Sequence, residues 1–138
     1  MLKKLLLAVL FIGTTASAQD YFLKKFHPFN PDIPSPEEFL GYPIGQHHTR
    51  HDLIVAYMNK LAETSDRASI HEYGRTHEGR KLVILTVTST GNLGNLEQIK
   101  SQHLQFVDPA QNAANYNDVP IFVNLGYNVH GNEPSSSE

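Results

Sequence analysis

The chain has 138 residues, 40% of them hydrophobic, no cysteine, and a formal charge of −3 with eight histidines taken as neutral. That composition suits a globular domain; without cysteine it excludes a disulfide scaffold, thiolate zinc sites and a cysteine nucleophile. Mild acidity with scattered charges argues against a nucleic-acid partner, which calls for a basic patch.

Residues 1–18 carry the marks of a signal peptide. Lys3 and Lys4 precede an apolar run from Leu5 to Ile12, and Ala16-Ser17-Ala18 offers small residues for cleavage before Gln19. The run is shorter than the roughly 20 residues that span a bilayer, so no stable membrane anchor is expected. The expectation is an exported protein, periplasmic or secreted.

Residues 19–46 form a proline-rich arm. Pro28, Pro31, Pro34, Pro36 and Pro43 forbid one continuous helix there. Phe22, Phe26, Phe29, Phe39 and Tyr42 would pin an extended segment onto a domain body spanning residues 47–138. In that body, Leu53, Ile54, Tyr57, Met58 and Leu61 recur at helical spacing and predict a helix from Thr49 to about Thr64. Thr49 with Asp52 three residues on suggests its N-cap.

Two strands follow, "SIHEY" and "KLVILTVTS", joined by the turn-forming Gly74–Arg80. The second is nearly continuously apolar, which predicts burial on both faces. Residues 95–106 predict another helix through Leu96, Ile99, Leu104 and Phe106, and Asp108–Asp118 a polar loop. The last expected strand is "VPIFVNLGYNV", with Pro120 at its start and Ile121–Leu125 buried. It leads straight into "HGNEPSSSE", at the carboxyl end of a strand, where α/β sheets collect functional groups.

His130 and Glu133 are the candidate metal ligands, since imidazole nitrogen and carboxylate oxygen both bind zinc. His-x-x-Glu alone is a weak signal; the strand before it and the turn expected from Gly126, Gly131 and Pro134 give it context. A second histidine group, His47, His48 and His51, reads as a solvated helix start beside Arg50 rather than a cation site. His71, His77 and His103 read as surface residues, and Ser135–Ser137 as a helix cap, with no Gly-x-Ser-x-Gly nucleophile turn and no phosphate loop.

"NVHGNEPSSSE" resembles the first zinc motif of the secreted zinc carboxypeptidases, the carboxypeptidase A-like family, with Glu138 matching a glutamate of the branch that carries His-Gly-Asn-Glu. "YGRTHEGRKLVILTVTS" looks like the family's turn between its first two strands, and "PSPEEFLGYPIG" is similar to the start of large bacterial secreted members. The resemblance runs from about Pro34 to Glu138. It implies an α/β/α sandwich with a mixed sheet, Zn2+ as cofactor, peptide or protein substrates and hydrolysis at their C-termini, with His130 and Glu133 as two of three protein ligands.

The third ligand, the substrate-binding arginines, the pocket tyrosine and the general-base glutamate have no matching position. The expectation is therefore the N-terminal part of a catalytic domain, inactive by itself, with its catalytic residues downstream. The alternatives are a non-catalytic peptide- or cell-wall-binding domain of that fold, or an unrelated small secreted module.

Overall fold

The structure is a computed structural model that describes residues 23–110, 117 and 119–130. The expected signal peptide lies outside the described residues. The chain divides between Pro31 and Asp32 into two units, taken separately here. In the first, Lys24–Phe26 form a single 3-10 turn, and the rings of His27 and Phe29 lie 4.2 Å apart.

The second unit begins with a short helix, α1 (Pro36–Leu40), inside the proline-rich stretch. Its start is over-determined. The Ser35 hydroxyl accepts from the Glu38 N–H at 3.2 Å, and the Glu38 carboxylate accepts from the Ser35 N–H at 2.7 Å. Pro36, whose missing N–H costs nothing at that position, fixes the first helical φ, and Gly41 ends the helix at φ 80°. α1 delivers Phe39 to Tyr57, ring centroids 5.3 Å apart, while the Tyr57 hydroxyl donates to Pro34 O at 3.0 Å. Burial, with Glu38 nearby adding to it, pushes the Tyr57 phenol up from its ordinary range.

α2 (His51–Thr64) is the helix predicted from its apolar spacing, with Val55 at its buried centre. Its cap differs from expectation. Arg50 takes the N-cap position without a side-chain bond, and its guanidinium grips Asp52, Nε to Oδ1 at 3.0 Å. Thr49 is instead turned inward, 3% exposed, its hydroxyl 2.9 Å from that of Tyr42. A buried hydroxyl needs a partner, and Tyr42 supplies one.

β1 (Ala68–Arg75) and β2 (Lys81–Val87) pair antiparallel, Ala68 opposite Val87 and Ile70 opposite Leu85, with a bulge between Glu72 and Gly74. The loop closes through Thr76 N–H to Arg80 O and Gly79 N–H to Thr76 O, both 2.9 Å. Gly79 adopts φ 77° there, a backbone that disfavours any Cβ. α2 packs on this hairpin, and among the described residues Val55, Ala68 and Ile99 are the buried apolar ones.

α3 (Thr90–Gly94), capped by Ser89, and α4 (Leu96–Val107) follow, so the single helix expected over 95–106 is preceded by a short one, with Asn95 at the junction. Arg67 Nε donates to Thr88 O at 3.2 Å and Thr90 Oγ1 to Asp66 Oδ2 at 3.1 Å, tying the turns before β1 and after β2.

The expected α/β class holds as a mixed helix-and-strand arrangement with a two-stranded antiparallel sheet, compatible with an incomplete carboxypeptidase-like fold. Two expectations are corrected. β2 is not buried on both faces: Ile84 and Val87 are 52% and 67% exposed, because α2 is the layer that packs on the hairpin. Residues 119–130 form no strand, and Ile121, Val123 and Leu125 are 88%, 78% and 66% exposed. Strand structure needs a neighbouring ladder, and among the described residues β1 and β2 pair only with each other.

Candidate metal centre

The segment 120–129 carries the chain toward His130 with no helix or sheet of its own. Its described anchor is at its start. His103, on α4, meets Pro120 O at 2.6 Å through Nε2, and its ring stands edge-on to Phe122 at 4.8 Å and to Phe106 at 5.8 Å. A carbonyl can only accept, so Nε2 carries the proton in this arrangement. His103, read from sequence as an isolated surface histidine, therefore holds the approach to the candidate site.

His130 stands at the end of this segment, exposed, in a bend. Glu133 lies outside the described residues, as do Gly131 and Pro134, two of the three residues from which the turn is expected. Among the described residues no three His, Cys, Asp or Glu side chains converge as a metal group. The donor chemistry of His130 and Glu133, one imidazole and one carboxylate, suits zinc.

Gly126 does not use the left-handed region, and a Cβ there would meet nothing within 4 Å. Asn128 does, at φ 55°, and it is the one residue other than glycine with positive φ among those described. Sequence reading passed over it. The available signal was the residue type, since asparagine tolerates this backbone better than other residues with a Cβ.

The second histidine group is spread over separate environments. His47 stacks edge-on against Tyr42 at 4.8 Å, and His51 is the first residue of α2. His71 and His77 are exposed on β1 and in the hairpin turn. The hairpin's charges are mutually satisfied: Glu72 pairs with Arg75 at 2.9 Å and Lys81 at 3.1 Å, and Glu78 with Arg80 at 2.8 Å. The Lys81 ammonium, helped by Arg75, holds the Glu72 carboxyl below the usual glutamate range.

A family model described as zinc carboxypeptidase matches residues 54–138, more than half of the chain and a span that includes both His130 and Glu133. No curated protein and no solved structure matches the chain.

Proposed function

Because the chain belongs to the zinc carboxypeptidase family, we propose that it contributes the first two zinc ligands, His130 and Glu133, of an exported enzyme that hydrolyses C-terminal residues from peptides. The observation that supports this reading is the family match itself, whose span, residues 54–138, starts within α2 and includes both candidate ligands. Zinc in such a site polarises the scissile carbonyl and makes its water acidic enough to attack near neutral pH.

This chain's own part is to hold the metal. His130 offers a neutral imidazole nitrogen and Glu133 a carboxylate oxygen; neither is the general base. The family implies a third ligand and a base glutamate, and neither has a matching position among these 138 residues. Two protein donors fall short of the three that catalytic zinc sites use, so residues 1–138 by themselves turn over no peptide. Export rests on residues 1–18, whose charge and apolar pattern are those of a signal peptide.

The test is made on the complete natural protein. Zinc content is measured by atomic emission and activity by release of the C-terminal residue from an acylated dipeptide. His130→Ala and Glu133→Ala should each remove zinc and turnover together, while His47→Ala keeps both. Full zinc retention in both ligand variants would overturn the assignment.

A further inference from the structure

We propose that the pair Lys24-Lys25 is a processing site, at which an endopeptidase specific for basic residues cuts the chain ahead of its folded body. The step is a hydrolysis: water adds across the peptide bond after the lysine, leaving a carboxylate on it and a free amine on the next residue, Phe26 for a cut after Lys25. The inference is independent of the zinc reading and stands on the arm alone.

An endopeptidase needs its substrate backbone accessible and able to open. Every described residue from Leu23 to Pro31 is exposed. The pair lies in a single 3-10 turn, closed by His27 N–H to Lys24 O at 3.4 Å, which is long for such a bond. The Lys25 ammonium rests 4.9 Å from the centre of the Phe26 ring, a side-chain contact that leaves the backbone free to open. The other described basic residues are placed differently. Arg75 and Lys81 are in the strands of the hairpin and paired with Glu72, and Arg80 is paired with Glu78. Lys60 and Lys100 lie inside α2 and α4. Arg50 grips Asp52 at the start of α2, and Arg67 holds Thr88 O. A cut at any of these has to open an element of the fold first.

The prolines select the class of enzyme. Endopeptidases hold their substrates as an extended strand, through main-chain hydrogen bonds on both sides of the scissile bond. Phe26 and Phe29 are also exposed, but the second residue after each is Pro28 or Pro31, which has no N–H to give. After Lys25 the second residue is His27, and after Lys24 it is Phe26; both keep their N–H. The cut also leaves the body's own start intact, since the Tyr57 bond to Pro34 O and the Ser35–Glu38 capping box lie beyond it.

The experiment is brief digestion of the complete protein with trypsin, as the basic-specific probe, and in parallel with chymotrypsin, as the aromatic-specific one. New N-termini within residues 23–130 are identified by sequencing and mass. Trypsin should produce first an N-terminus at Lys25 or Phe26, with the thermal unfolding midpoint of the product unchanged. The double variant Lys24→Gln, Lys25→Gln should slow the first tryptic cut in this span by at least about tenfold, because the next site then waits on local opening. Chymotrypsin should cut after Phe26 and Phe29 more slowly than trypsin cuts the pair. A first tryptic cut at any other basic residue of the span, or a double variant cut as fast as wild type, would overturn the site. Chymotryptic cleavage of the arm as fast as tryptic would overturn the assignment of the enzyme class.

Discussion

His103 Nε2 lies 2.6 Å from the carbonyl oxygen of Pro120, and this contact joins the last described helix to the segment that leads to the candidate metal ligand. The same ring packs edge-on against Phe122. One hydrogen bond and one aromatic contact at an exposed site are each worth about 1 kcal/mol. His103→Ala should therefore cost the fold little and the segment much. Backbone ¹⁵N relaxation should show Ile121–Leu125 gaining fast motion, while α2 and the hairpin are unchanged. Unaltered relaxation in that segment would mean something else holds it.

How much could be read from the sequence depends on the range of each signal. The apolar face of α2 and the turn residues of the hairpin are local, and both were placed within a few residues. The Ser35–Glu38 capping box is equally local, yet the surrounding prolines masked it, although Pro36 at the first helical position favours the helix. Thr49 matched a cap by type, but Arg50 holds the N-cap position while Thr49 is buried with its hydroxyl against Tyr42, a contact no capping pattern reveals. Ile121–Leu125 read as a buried strand because apolar β-branched runs record what a segment is suited to, while burial depends on a ladder supplied from elsewhere. At the site, His130 and Glu133 were legible from residue type and family motif. The positive φ of Asn128 was not, because a backbone angle leaves only a faint compositional trace.

Glu72 sits between two cations, Lys81 at 3.1 Å and Arg75 at 2.9 Å, near the loop end of the hairpin. Its folded carboxyl is held below the ordinary value of 4.5, first by the hydrogen bond from Lys81, with Arg75 assisting. A depressed folded value means that the unfolded chain binds the proton more readily. The pairing therefore stabilises the fold in full above the ordinary glutamate range. It is lost as the pH falls through the lowered folded value. Glu72→Gln should lower the unfolding midpoint in denaturant at neutral pH and make no difference once wild-type Glu72 is protonated. Salt should shrink the neutral-pH gap, because the group is solvent-exposed. A gap that persisted or widened in acid would refute the assignment.

The exposed run from Ile121 to Val129 carries a further consequence for residues 1–138 as a free chain. Ile121, Phe122, Val123, Leu125, Tyr127 and Val129 are all more than half exposed, on backbone that belongs to no helix or sheet. Extended apolar backbone without a ladder is a template for pairing with a like segment, and charge placed within it is the usual defence. Residues 120–130 contain no Asp, Glu, Lys or Arg. Sedimentation velocity should accordingly show the chain self-associating as concentration rises, with thioflavin-positive material on standing. Val123→Lys, at a position 78% exposed, should suppress both without lowering the unfolding midpoint, since that side chain contributes nothing to the core. A chain that stays monomeric across the concentration range, or a Val123→Lys variant that associates as strongly as wild type, would show that the run is covered in solution.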